Sequence, residues 1–307
     1  MYGIALSAAS CIRAGTRVDI AWIVDRHDGN PFDPSETIAI TPGGGRLGSL
    51  LNGALDGQLI ELAGTQGDQG RLVRLDISPV DAAVSGTEPG SGIGCMLVPG
   101  TALPEELWEM LLSREPVCLI AELDGDTVIQ WGLHTSESVA DAGDTPLQVF
   151  EQGSSAADLS PHTATTVLQP RSTLVVVGGG EIADSLERIA TMLGWQTSIT
   201  REAGIASGLI AALSPIDSVV VIGHDLELTG KALLDALSSD AGYIGAVGPR
   251  HLQETRADWL AYRGMTDLAR LRGPAGIDIG ARTPQEIALS ITAEIVAAQI
   301  ASPTASR

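Results

Sequence analysis

Gly178, Gly179 and Gly180, with Ala183 three residues beyond, form the spacing in this sequence with the plainest chemical use. A β-branched and apolar run, Thr173 to Val177, precedes the glycines, and a helix-forming segment, Glu181 to Leu193, follows them. Read as Gly178-x-Gly180-x-x-Ala183, this is the strand–turn–helix fingerprint of dinucleotide-binding sheets. Gly178 would permit the tight turn, Gly180 would let a pyrophosphate approach the backbone, and Ala183 would let the helix pack close to the strand. The free N–H groups and positive end of the helix would then face an anion. The fingerprint also expects an acid after the second strand, to accept from a ribose hydroxyl. This chain has Arg201 there, with Glu202 behind it. Arg201 weakens the case for NAD and leaves NADP, with its phosphorylated ribose, as the nicotinamide alternative. A solvated arginine is the other reading.

Further groups fall at strand ends. His224-Asp225 closes an apolar strand at the carboxyl edge of the expected sheet, where ligands of open α/β sheets sit. It reads as a site histidine or as a histidine bonded locally to its neighbour. Arg250, after Gly248-Pro249, could take a phosphate bidentately or join a surface ion pair. Asp278, inside Gly276-Ile-Asp-Ile-Gly280, could accept from a ligand or cap backbone N–H groups. Cys95 is a reactive thiol or a small buried hydrophobe, and Cys11 and Cys118 sit on apolar stripes. Asp25-Arg26-His27-Asp28 reads as a polar turn, and Glu286 as part of a capping box. No nucleophile–base–acid set and no zinc-ligand spacing is visible, so no metal is expected.

Positioning these groups requires α/β architecture. From position 171 to 302, strands are expected at Leu174–Val177, Thr197–Thr200, Ser218–Ile222 and Gly242–Val247, alternating with helices at Glu181–Leu193, Ile205–Leu213, Thr229–Leu237 and His251–Tyr262. That rhythm specifies a Rossmann-like parallel sheet with right-handed crossovers. A last helix opens at Thr283-Pro284-Gln285-Glu286, and 303–307 is a tail. Positions 1–136 read as a mixed α+β domain: a helix over Tyr2–Ala14, strands at Arg17–Asp25 and Thr37–Thr41, and a helix over Leu47–Ala63 interrupted by glycines. Strands at Gly70–Ile77 and Cys95–Val98, a helix over Pro104–Arg114 and a hairpin across Asp124-Gly125-Asp126 follow. Between them, 137–170 is rich in Ser, Thr, Ala, Asp, Gly and Pro and reads as a linker, with one strand at Leu147–Phe150.

The 307 residues carry 38 acidic against 18 basic side chains, a formal charge of −20. Such a surface repels phosphate backbones and anionic lipid, so no nucleic acid and no membrane partner is expected. Three cysteines in no metal spacing argue for a reducing compartment. With no basic n-region and no apolar run of spanning length, a cytoplasmic location is expected.

The second half resembles the C-terminal domain of the xanthine dehydrogenase accessory (XdhC/CoxI-like) family of molybdenum-cofactor maturation proteins. The resemblance rests on Val177-Gly-Gly-Gly-Glu-Ile-Ala183, Leu193-Gly194-Trp195, Gly223-His224-Asp225 and Gly242-Tyr-Ile-Gly-Ala-Val-Gly-Pro-Arg250. It rests above all on Gly273-Pro-Ala-Gly-Ile-Asp-Ile-Gly-Ala-Arg-Thr-Pro-Gln-Glu-Ile-Ala-Leu-Ser290. It implies a chaperone that binds and shelters the molybdenum cofactor (molybdopterin) for an apo molybdenum hydroxylase of the xanthine or carbon monoxide dehydrogenase type. A cysteine desulfurase as sulfur donor and a homodimer are implied too. The cofactor would rest near Gly178–Ala183, His224 and Arg250. The resemblance implies Asp at position 201, where this chain has Arg. It is faint in the first half. There Asp25–Gly29 replaces the family's Gly-Ser-x-Pro-Arg turn, Ala54 stands where the family has a cysteine, and Cys95 looks like the second family cysteine. Soft thiolate is the natural ligand for molybdenum and carrier of sulfur, so losing one thiol leaves binding without sulfur handling as a rival expectation. The enzyme-class rival is an NADP-dependent oxidoreductase, and the third is a purely interacting subunit with a vestigial pocket.

Overall fold

The computed structural model describes residues 1–65, 67–85, 89–90 and 92–301. The chain divides into two compact units that meet between Pro170 and Arg171.

The first unit runs α1 (Ala5–Arg13), β1 (Asp19–Arg26), β2 (Thr37–Ile40), β3 (Arg46–Gly48), α2 (Asp56–Ala63), β4 (Arg71–Asp76), α3 (Pro79–Ser85) and β5 (Gly92–Pro99). It continues with α4 (Glu105–Leu112), β6 (Val117–Asp124), β7 (Thr127–His134), α5 (Asp144–Glu151), β8 (Ala156–Leu159) and β9 (Thr163–Leu168). The strands form one sheet in the order β3-β2-β1-β5-β4-β7-β6-β9-β8, antiparallel wherever they pair. Strand β1 is apolar on both faces because β2 and β5 flank it and side chains pack on either side. The seam between β4 and β7 holds one residue pair, Arg71 with Thr127. Trp22 of β1 donates to the Thr166 hydroxyl of β9 at 3.0 Å, so strands far apart in the order come into contact.

Three expectations for this unit are corrected. Residues 137–170 are not a linker: α5, β8 and β9 belong to the first unit, and β9 pairs with β6 from Val117–Leu168 to Glu122–Thr163. The Thr-rich run Thr163–Leu168 is β-branched, a strand signal hidden inside a small-residue composition. The strand expected at Leu147–Phe150 lies within α5, where Pro146 sits in the first turn, a place a helix tolerates. The helix expected from Leu47 starts only at Asp56, because Gly48 belongs to β3 and Leu51, Asn52 and Gly53 all have positive φ. Helix α3 was not expected at all. The expected tail 303–307 lies outside the described residues.

The second unit contains β10 (Thr173–Val177), α6 (Glu181–Met192), β11 (Gln196–Thr200), α7 (Ala203–Ala211), β12 (Ser218–Val221) and α8 (Leu226–Leu237). It ends with β13 (Tyr243–Ala246), α9 (Arg250–Tyr262), β14 (Leu271–Arg272) and α10 (Pro284–Ala301). Its sheet, β11-β10-β12-β13-β14, is parallel throughout. The period-2 alternation of strand side chains splits the core in two. Leu174, Val176 and Val220 face Ala183 and Leu186 of α6 and Ile291 and Ile295 of α10. Val175, Val177, Val219 and Val221 face Ala206 and Ile210 of α7 and Leu233 of α8. Every expected strand and helix of this half is present, and the two-residue β14 is an addition. Strand order reverses between β10 and β12, so the switch point lies at their carboxyl ends, beside Gly178 and Gly223.

Candidate functional site at the carboxyl edge of the parallel sheet

The fingerprint turn has the backbone its spacing requires. Gly178 has φ +137°, and a β-carbon there would collide with the Ile222 carbonyl oxygen at the end of β12. Glycine is obligatory at this point because the two strand ends touch. The Gly178 N–H is used internally, donating to the Thr200 carbonyl at 2.8 Å. Gly180 has φ +92°, with open space where a side chain would lie, and it starts α6 without any side-chain cap. The first-turn amides of α6 therefore lack intrahelical partners. Ala183 is fully buried against Val176 and Val220, as close helix–strand packing demands.

Beside this turn lies an open hollow of about 720 Å³. Gly178, Gly179, Gly180 and Asp184 form one wall; Ser198, Ile199 and Thr200 of β11, then Arg201, Glu202, Ile205 and Leu209, form the other. Arg201 is exposed but does not extend into solvent. Its guanidinium lies across the glycine turn, in the space a side chain on Gly179 would fill. It has no ion pair among the described residues, and it shares the hollow with the acids Asp184 and Glu202. A planar ring could stack against Ile205 and Leu209 while an anionic end meets Arg201.

The other sequence candidates do not line this hollow. Asp225 is a helix cap: its carboxylate accepts from the N–H groups of Glu227 at 2.9 Å and Leu228 at 3.4 Å, closing the start of α8. His224 is exposed and makes no bond to Asp225 among the described residues, so the expected local pair is absent. Arg250 is exposed at the first position of α9. Asp278 accepts from the Gly280 N–H at 3.2 Å, turning its own loop, which is the capping alternative. That loop packs through Gly276, whose N–H reaches Glu294 Oε2 at 2.7 Å. Cys95 is corrected outright. It is 0% exposed in the core cluster that also holds Ala54, and burial pushes its thiol far above the ordinary value. It cannot serve as a thiolate. Cys118 is likewise buried, its thiol pushed up to about 12.

Sequence reasoning missed two things here. The apolar wall of the hollow comes from Ile205 and Leu209, on a helix apolar on all sides, so no amphipathic stripe marked it. The buried Arg256 of α9 went unnoticed because charged residues are assumed to be surface residues.

Residues 174–295, which carry this edge of the sheet and both helix layers, match the family described as the XdhC Rossmann domain. The second unit, and not the first, is thus similar to the XdhC Rossmann domain. A curated relative, the uncharacterized protein YqeB of Escherichia coli strain K12, is 25% identical over 150 residues. That match covers 42% of this chain and 27% of the relative, so the chain spans about a quarter of that protein's length. A crystal structure named as a xanthine dehydrogenase from Bacillus halodurans is similar over 98% of both chains, at 19% identity and a TM-score of 0.48. That likeness is too loose to carry any statement about chemistry. Among the described residues no helix is long and apolar enough to cross a membrane, and no three metal-ligating side chains cluster.

Proposed function

We propose that this protein is a maturation factor that binds the molybdenum cofactor through its second unit and presents it to an apo molybdenum hydroxylase. The observation that carries the reading is the hollow beside Gly178–Gly180, within the stretch that matches the XdhC Rossmann domain. Its fit to such a cofactor divides by part. A pterin ring matches the apolar wall of Ile205 and Leu209, and an anionic end matches Arg201 and the uncapped start of α6. Neither position where the family carries a cysteine offers a thiolate for the metal end, since Cys95 lies in the core and Ala54 replaces the other. The reading is therefore of a carrier that holds the cofactor without handling its sulfur. The bound cofactor supplies oxygen-transfer chemistry to its client; this chain's residues bind, orient and shield it.

Incubation with molybdenum cofactor, desalting and measurement of retained pterin and molybdenum tests this. Wild type and Cys95→Ala are expected to retain it equally, and Arg201→Glu to lose most of it. Absence of retention by wild type would overturn the reading. A saturable fluorescence change on adding NADPH, abolished by Arg201→Glu, would replace it with the oxidoreductase alternative. That alternative draws on one observation, the arginine lying across the fingerprint turn.

A further inference from the structure

Arg256 of α9 is 0% exposed. Its Nη2 donates to the Gly223 carbonyl at 2.7 Å, and its Nη1 to the Val247 carbonyl at 2.9 Å and to Gln253 Oε1 at 3.2 Å. Its Nε is buried with no partner. Among the described residues no carboxylate neutralises it. Elsewhere the same chain shows the usual solution: buried Arg26 is held at 2.6 Å by Asp28, whose carboxyl it keeps far below the ordinary range. An isolated guanidinium taken out of water is strongly unfavourable unless something supplies opposite charge. Burial accordingly pulls the Arg256 pKa below an ordinary arginine's.

Its bonds shape two turns. In a trans peptide the next N–H points opposite the carbonyl. Drawing the Gly223 and Val247 carbonyls inward therefore aims the His224 and Gly248 N–H groups outward, and neither has a partner among the described residues. Gln253 also holds the Ala246 and Gly248 carbonyls, at 3.0 and 2.9 Å, which fixes the turn without freeing a further N–H, since the Val247 N–H bonds Val221 and Pro249 has none. Helix α9 begins there with no side-chain cap on Pro249 and no acid in its first turn; Arg250 and His251 are exposed at its start. Helix α7 also starts without a side-chain cap or a first-turn acid, but its N-cap residue is itself an acid, Glu202, and two other starts differ more. α6 carries Glu181 and Asp184, and α8 is closed by Asp225 and carries Glu227.

We propose that the turn Gly248-Pro249-Arg250-His251, backed by Arg256, is a binding site for a phosphate group. Arg250 supplies the exposed arm and Arg256 the fixed positive charge beneath the amides. This deepens the reading above and rests on it only for the identity of the ligand. The turn lies two strand spacings from Gly178, about 10 Å, so one ligand could span both. The same chemistry would take free phosphate or the phosphoryl end of a larger ring ligand.

The test is calorimetric titration of the full chain with inorganic phosphate, riboflavin 5′-phosphate and riboflavin. Wild type is expected to bind both phosphates and not riboflavin. Arg250→Gln, at an exposed position, is expected to weaken both about tenfold through loss of one charge-assisted pair. Arg13→Gln, at an exposed position of the first unit, is expected to leave inorganic phosphate within about twofold, a change too small for one lost charge-assisted pair. Tighter binding of the riboflavin ester than of phosphate would assign the site to a larger ligand, and equal binding to the free anion. Arg256→Lys, which keeps the charge, should retain more affinity than Arg256→Gln when both show wild-type circular dichroism. No phosphate binding by wild type, or no loss with Arg250→Gln, would overturn the proposal. If wild type retains the cofactor yet Arg250→Gln changes nothing, the inference fails and the carrier reading stands. If phosphate binds as expected and cofactor is not retained, the reverse holds.

Discussion

The turn after β10 and the turn after β13 are built alike and charged differently. Each leaves a parallel strand through a glycine with φ close to +137° and enters a helix that lacks a side-chain cap. After β10 the glycine is forced by contact with the Ile222 carbonyl, one N–H is consumed by Thr200, and two acids follow in the helix. After β13 the carbonyls are held from below by Arg256 and Gln253, and the side chains that follow are Arg250 and His251. Backbone geometry alone offers either turn to an anion, and the side chains set the charge: Arg201 against two acids after β10, Arg250 and His251 with no first-turn acid after β13. A glycine fingerprint thus reports that two strands and a helix pack closely, and it reports a ligand only together with its charges.

The largest expected effect tests the packing half of this contrast. Gly178→Ala would drive a β-carbon into a backbone oxygen at a φ that L-residues rarely adopt, with an expected loss of roughly 4 kcal/mol. Gly180→Ala meets open space and only the conformational penalty, about 1 kcal/mol. Urea unfolding of the two variants beside wild type measures both. Equal losses would mean that the Ile222 contact yields, and the fingerprint turn would be less rigid than described.

Next in size is Arg256→Met. It removes the donors that hold the Gly223 and Val247 carbonyls, and orphaned buried acceptors are expected to lower stability by about 2–3 kcal/mol, partly offset by relief of the buried charge. Amide exchange should rise in both turns together, at 223–225 and 247–250. If only one turn loosens, Arg256 does not couple them.

How much of this was readable beforehand differs by unit. In the second, β-branched runs, glycine turns and apolar helices agree at every level, and each strand and helix fell where the pattern put it. The site was less legible. Arg201 stood out by departing from the fingerprint, but its position across Gly179 depends on how β11 ends beside β10. Arg256 was invisible because its burial is set by two turns on other strands. In the first unit, Thr163–Leu168 and Leu51–Gly53 misled for opposite reasons. The former is a strand whose small polar neighbours look like a linker, and the latter are residues bent to positive φ inside an apparent helical stripe. Asp56 holds that bend, its carboxylate accepting from the Leu50 N–H at 3.1 Å and from Arg46 at 2.8 Å, contacts that no local pattern announces.

The smallest effect concerns a helix start closed by its own acid, the opposite of α9. Glu286 Oε2 accepts from the N–H groups of Arg282 at 2.8 Å and Thr283 at 2.9 Å, and the Thr283 hydroxyl accepts from the Glu286 N–H at 3.3 Å. Those backbone bonds hold the Glu286 carboxyl below its ordinary value. A depressed folded-state pKa means that the unfolded chain binds the proton more readily. The contribution is therefore complete above the unfolded pKa and is lost as pH falls through the folded one. Glutamine keeps an oxygen acceptor and loses the charge. Glu286→Gln should expose the Arg282 and Thr283 amides, just ahead of α10, to faster exchange at pH 7, and the gap from wild type should close as the wild-type carboxyl protonates, at a pH below the ordinary glutamate range. A gap unchanged with pH would show that the cap acts by shape rather than charge. It would also weaken the premise that charge, and not backbone geometry, separates the open helix start of α9 from the filled ones.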